Sequence, residues 1–576
     1  MSSTKRCRRP SSSSPEPFES APKRHRPNRT TPILRLSDEL FLRICFHLPI
    51  RDLASFQLVS HRCSRVAVDG QIWKALYYQR FVLPRASRIR GLVRGKLGGY
   101  SSRQSRWLEE EGIAWEVGTN WKALYKLRHN WARGSCAVRG IDVAGKDGEV
   151  DEGGEEGLLG IVFTASSARG LQAWQLHNTD KLIARTQLYS NSVPFSCAGA
   201  PTALAVDEES RGKNGVVNVT IGFGNGGFTM YQLDMAEETS IFRIRYVYAL
   251  RGRTRDSTKI TAMTALGPYL ATMTGQTWDI YDFSYPSGPS SENEGGGISV
   301  LGADGGGAPG DSPNVLASLR SSTAWPPIAL SLRRSINETL LASIVYSCPL
   351  FSGWSVSCQE LRFRTGDFET TPTGRRKHQT VLEESRIATA VPSGFTPLSL
   401  FGNSSPHVRG GLAGFTGHSH NGSQSHDPPL AQPTSVSYHH PYLITSHADN
   451  TLTLYLVRSA STLTIDPGQR LWGHTAGVSS VMVDGRGKAI SINRFGSEIR
   501  VWELEGGVSE RRRVNASVRI EPVVRRDDVG HLGGFDDEKV VLLKEEAAPA
   551  AATPASCCAA AGQTTTQALV VYDFAR

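Results

Sequence analysis

Apolar residues at Leu36, Leu40, Ile44 and Leu48 recur every four positions, which lines one face of a helix. Ser37 ahead of Asp38 and Glu39 gives that helix a start, with two carboxylates at the positive end of its dipole, and Pro49 ends it. Leu53, Phe56, Leu58 and Val59 predict a second helix, and Val66, Val68 and the run from Ile72 to Leu76 continue the helical set. Upstream, residues 1–32 are serine, proline and basic residues with Phe18 as the single large aromatic. Such a segment buries too little apolar area to offset the entropy of ordering, so the pattern predicts a disordered tail. Downstream, residues 81–133 are basic and partly helical, with a Gly/Ser/Arg stretch at 91–106 and a cluster of Trp107, Trp115, Trp121 and Trp131. Tryptophans on a short helix act as docking anchors, expected here to fix the helical part to the β-rich part downstream.

From about residue 134 the pattern changes to short β-rich runs split by turn residues, the mark of a sandwich, barrel or propeller. Repetition favours the propeller. Six runs end alike: LQAWQL at Trp174, FTMYQL at Tyr231, WDIYDF at Tyr281, LTLYLV at Tyr455, IRVWEL at Trp502 and LVVYDF at Tyr572. ELRF near Leu361 is a weaker seventh. Seven endings predict about seven four-stranded blades, with eight as the alternative. Tyr572 lies four residues from the last residue, so no outer strand follows it. The alternating segment from Ser135 to Val143 is expected to supply that strand from the other end of the chain. Gly/Ser/Pro- or Ala-rich insertions at 284–313, 402–433 and 545–566 are expected to be flexible loops.

Composition narrows the function classes. Among the 576 residues there is no run of 18 apolar ones, and the N-terminus is basic rather than apolar, so neither a membrane span nor a secretory signal is expected. Nine cysteines without a CxxC pair argue against a zinc ribbon or redox dithiol and fit a reducing compartment. Residues 1–130 carry 25 Lys and Arg against 10 Asp and Glu, while the remainder carries 39 against 44. A chain-wide nucleic-acid surface is therefore not implied, and no specific nucleic acid is expected as a partner. The tail's clusters at Lys5, Arg6, Arg8, Arg9 and at Lys23, Arg24, Arg26 resemble a bipartite nuclear import signal, a solvated charged tail being the alternative.

The stretch LRLSDELFLRICFHLPIRDLASFQLVSHRCSRVAVDGQIWKAL resembles an F-box. It matches that family's pattern at Leu36, Glu39, Leu40, Ile44, Leu48, Pro49, Asp52, Leu53, Leu58, Val59, Ser60, Trp73 and Lys74. It departs at Ser37, where the family usually has proline; serine is a competent N-cap. The segment NWKALYKLRHNWARG is similar to the connector between an F-box and a WD-repeat domain. Residues 471–504 resemble a WD repeat, opening at Gly473 and His474 and closing at Trp502. A second unit opens at Gly417 and His418 and closes at Tyr455, with Asp449 at the family's turn-carboxylate position. In that family, His, a strand hydroxyl, Asp and Trp tie the blade's loops together by hydrogen bonds. In the first unit Gly496 stands at the Asp position, so its network is expected to be incomplete.

Catalytic patterns are not found. Residues 222–227, GFGNGG, match GxGxxG, but the next residues read as a strand where a dinucleotide site needs a helix, so a hairpin turn is expected. His418, His420 and His426 share one loop without firm Cys or acidic spacing, so no metal site and no cofactor are expected.

The expected fold is a small all-α F-box at 33–80 plus an all-β propeller of degenerate WD repeats at 134–576. This order resembles the F-box/WD-repeat substrate receptors of SCF-type ubiquitin ligases. That resemblance implies a non-catalytic receptor whose F-box binds a Skp-type adaptor, and through it cullin, while the propeller holds a target for ubiquitination and degradation. By position, Leu36, Leu40, Ile44, Leu48, Pro49, Leu53, Leu58 and Val59 face the adaptor, some of them instead forming the F-box's own core. Arg169 and Arg494, just before closing strands, are the candidates for meeting an acidic or phosphorylated target. Nucleus and cytoplasm are the expected locations. The alternative is an interaction scaffold uncoupled from a ligase.

Overall fold

The computed structural model describes residues 36–82, 120–142, 160–176, 181–188, 200–207, 209–210, 215–235, 240–248, 259–287, 298–299, 312–322, 324–335, 339–350, 353–370, 376–390, 431–504, 517–520, 529–546 and 566–576. The expected disordered tail, the stretch at 91–106, Trp107 and Trp115, and the three clustered histidines all lie outside these residues. So do the centres of the insertions. At their ends, strand continues to Ser287 and begins again at Ser312, and a two-residue strand occupies 298–299. The chain divides into a helical unit and a β unit.

The helical unit contains α1 (Asp38–Cys45), α2 (Ile50–Gln57), α3 (His61–Ala67) and α4 (Gly70–Tyr77). Its core is Phe41 and Cys45 of α1, Leu53 of α2, Cys63, Val66 and Ala67 of α3, and Ile72, Trp73 and Tyr77 of α4. The buried side of α1 is therefore not the stripe of every fourth residue, because Leu40 and Ile44 are exposed. Pro49 does not stop α1, which ends at Cys45; its fixed φ instead places it at the N-cap of α2. Ser37 occupies the N-cap of α1 without making a side-chain cap bond. Ser60 does cap α3, accepting from the Cys63 amide at 3.2 Å, and Asp69 caps α4, accepting from Gln71 at 2.8 Å. Asp38 holds Arg62 and Arg65 at 2.8 and 3.0 Å, and the Trp73 indole donates to the Ala67 carbonyl. A fifth helix, α5 (Trp121–Trp131), gives its first two residues to this unit. There Trp121 stands edge-on to Tyr77, with ring centroids 5.8 Å apart, and Lys122 reaches Gln57.

The β unit is a propeller of seven antiparallel blades. Strand β1 (Ala137–Asp142) comes first in the chain but belongs to the last blade. The first blade has β2 (Ile161–Ser166), β3 (Gly170–Gln175) and β4 (Lys181–Thr186). The second has β5 (Pro201–Val206), β6 (Val216–Phe223), β7 (Phe228–Asp234) and β8 (Ile241–Tyr248). The third has β9 (Ile260–Leu266), β10 (Tyr269–Thr274) and β11 (Thr277–Ser287); between its strands in sequence, β12 (Ile298–Ser299) adds to the outside of the second, and β13 (Ser312–Arg320) completes the third. The fourth has β14 (Trp325–Arg334), β15 (Leu340–Leu350), β16 (Gly353–Thr370) and β17 (Arg376–Thr389). The fifth has β18 (Ser435–His439), β19 (Tyr442–Ser446) and β20 (Thr451–Ser459), with β21 (Leu463–Ile465) and β22 (Gln469–Trp472) both pairing with β20. The sixth has β23 (Val478–Val483), β24 (Lys488–Asn493), β25 (Ile499–Glu503) and β26 (Ser517–Ile520). The seventh has β27 (Val529–Phe535), β28 (Lys539–Glu546), β29 (Thr566–Asp573) and, outermost, β1.

Six of the repeat endings fall on the third strand of their blade, Tyr231 on β7, Tyr281 on β11, Leu361 on β16, Tyr455 on β20, Trp502 on β25 and Tyr572 on β29, and Trp174 lies on β3, the middle one of the three described strands of the first blade. The ring closes as expected, with Ala137 opposite Asp573 and Asp142 opposite Ala568. Each neighbouring pair of blades encloses its own apolar cluster. The pair that closes the ring packs Val541, Leu569, Val571 and Ile141 against Trp174 and Leu176. The sixth and seventh blades pack Ile490, Ile492 and Val501 against Val540, Leu542 and Tyr572. The GFGNGG segment is a hairpin turn between β6 and β7, as its pattern predicts. Its turn is closed by Asn225, whose side chain accepts from Gly227, and Gly226 supplies a φ of 81°.

Candidate functional site

The helical unit offers apolar side chains that it does not cover. Leu58 is 88% exposed and Val59 69%, both where α2 turns into α3. On α1, Leu40 and Ile44 stand four residues apart on one exposed side, and Phe46 and Val68 are exposed as well. Of the eight residues that the resemblance aims at an adaptor, Leu53 is fully buried and belongs to the core. Leu36 and Leu48 are half-buried and Pro49 is exposed. Phe46 and Val68 were missed, because neither falls on a family motif position.

In the sixth blade the hydrogen-bonded network is open at one link, as Gly496 leads one to expect: His474 Nδ1 has no hydrogen-bond partner among the described residues. His474 Nε2 lies 2.5 Å from the Ser491 hydroxyl, which also accepts from Trp502 Nε1 at 2.7 Å. The carboxylate comes from Glu498, two residues beyond Gly496. One of its oxygens accepts from the Thr475 amide and hydroxyl at 3.0 and 2.7 Å, and the other from Arg500 at 2.7 Å. The longer glutamate side chain recovers part of the extra distance and leaves its nearer oxygen 3.6 Å from His474 Nδ1. Gly496, with a φ of 67°, makes the turn instead. Burial pushes His474 down to about 4, so it is neutral at physiological pH. Burial would raise Glu498, but the Thr475 and Arg500 hydrogen bonds outweigh it and hold the carboxyl at about 2.

In the fifth blade, His418 lies outside the described residues. Asp449 does act as a turn carboxylate: it accepts from the Thr451 amide and hydroxyl and from Arg470. The buried histidine here is His447, with Nε2 at 3.0 Å from the Thr445 hydroxyl and 3.2 Å from that of Thr453. Sequence reasoning passed over it because it follows no Gly-His opening. Tyr455 is buried in the cluster between the fourth and fifth blades.

Arg169 lies on the turn between β2 and β3 of the first blade, and Arg494 on the turn between β24 and β25 of the sixth. The structure does not set them side by side, since the seventh blade intervenes. Arg169 is half-buried, its amide donating to Ser166 and its carbonyl accepting from Arg185. Arg494 is exposed beside the exposed Phe495, its amide donating to the Gly477 carbonyl. Among the described residues no group of three or more His, Cys, Asp or Glu is placed to hold a metal ion.

An F-box domain family model matches residues 33–75, and the family model described as the F-box protein pof12 beta-propeller matches residues 156–532. A search of curated proteins returns no match. Among solved structures, the chain is similar to U3-55K at 10% identity, covering 76% of this chain and 98% of that one with a TM-score of 0.36. It is similar at 10% identity to the RRP9 WD40 repeats, covering 76% and 99% with a TM-score of 0.35. A third likeness, to Saccharomyces cerevisiae Sqt1, is also at 10% identity and covers 75% and 97% with a TM-score of 0.30. With an F-box ahead of a propeller whose family model spans well over half its length, the chain belongs to the pof12-type F-box/β-propeller family and is an F-box/WD-repeat protein.

Proposed function

We propose that this protein is the substrate-recognition subunit of an SCF-type cullin ubiquitin ligase. The observation that carries the reading is the uncovered apolar surface of the F-box, with Leu58 and Val59 at its most exposed point. Two adjacent apolar side chains this open to water gain free energy when a partner covers them, at about 25 cal/mol per Å². In this reading a Skp-type adaptor covers them and bridges to cullin. The propeller holds a target, and a recruited conjugating enzyme transfers ubiquitin. The chain contributes tethering, which raises the effective concentration of target near that enzyme. The test is affinity purification of the tagged full-length protein under proteasome inhibition. Recovery of adaptor, cullin and ubiquitinated target supports the reading; a chain that captures targets but neither adaptor nor cullin is a scaffold.

The same proposal places the protein in both nucleus and cytoplasm, on the strength of its two basic clusters. Replacing Lys5, Arg6, Arg8, Arg9, Lys23, Arg24 and Arg26 by alanine should shift a fluorescent fusion toward the cytoplasm. An unchanged distribution would reduce the tail to solvated linker.

A further inference from the structure

We draw no further inference here: the strongest candidate, the outer edge of β17 in the fourth blade with Val381, Leu382 and Ile387 exposed along it, is an unpartnered apolar edge, and nothing in the structure shows what covers it.

Discussion

An oxygen of the Glu498 carboxylate stands 3.6 Å from Nδ1 of His474, with both side chains inside the sixth blade. The pair joins the loop that enters the blade to the strand that closes it, through Thr475 on one side and Ser491 and Trp502 on the other. Both groups make stability depend on pH in the same direction. His474 binds its proton near 6.5 when unfolded and near 4 when folded, so between these values the unfolded chain holds more protons. Glu498 behaves likewise between 4.5 and 2. Stability is therefore fully present above about pH 6.5 and falls as pH drops through both windows. Thermal unfolding followed across this range should show a falling midpoint, and Glu498→Gln should lower the neutral-pH midpoint while flattening the lower part of the slope. Losing the charged acceptor should cost about 1–3 kcal/mol.

Trp131 is the second anchor that can be weighed. Its ring stacks on Phe574 at 3.7 Å between centroids, and its indole donates to the Asp537 carbonyl at 2.6 Å. Its other relationship is with Lys488, whose ammonium lies 3.9 Å from the ring centroid. Trp131→Ala should destabilise the propeller by about 3–5 kcal/mol, measured by denaturant unfolding, and Trp131→Phe by less.

Lys488 itself carries a separate pH signature. Burial pushes it down to about 8 from 10.5. Between these values the unfolded chain binds more protons, so stability should rise with pH across that interval. Lys488→Met should remove the rise; a variant that keeps it would assign the slope to another group.

Closure of the ring depends on β29, which is flanked by β28 and β1. Deleting residues 566–576 takes out a middle strand and leaves two exposed edges, a template for aggregation. The truncated protein should elute as oligomers in size-exclusion chromatography and melt earlier than the full chain. A soluble monomer with unchanged heat resistance would contradict this closure.

The propeller was legible because blade after blade repeats one local event, a strand that carries an aromatic near its end, and Trp174, Tyr231 and Tyr572 keep that signature after most of the WD consensus has gone. Closure was legible because the segment around Val138 alternates ahead of the first blade, and that segment pairs with β29. The gap at Gly496 was legible as an open network, but its partial filling was not: Glu498, two residues further on, supplies a carboxylate to Thr475 and Arg500 and stops 3.6 Å from His474 Nδ1. In the F-box, the four-residue period of Leu36, Leu40, Ile44 and Leu48 marked a helix but not its inner face. Phe41 and Cys45 carry that face, and a stripe left open for a partner has the same period as one that packs within the chain.

The central claim is tested most directly by titrating purified full-length protein with a purified Skp-type adaptor, comparing wild type with a variant carrying Leu40→Ala, Ile44→Ala, Leu58→Ala and Val59→Ala. These four side chains are exposed, so the variant should keep the wild-type circular dichroism and melting temperature. If the adaptor covers them, losing about 1.4 kcal/mol or more of apolar burial weakens binding at least tenfold. The account predicts tight binding by wild type and that loss in the variant. Wild-type protein that does not bind the adaptor would contradict it.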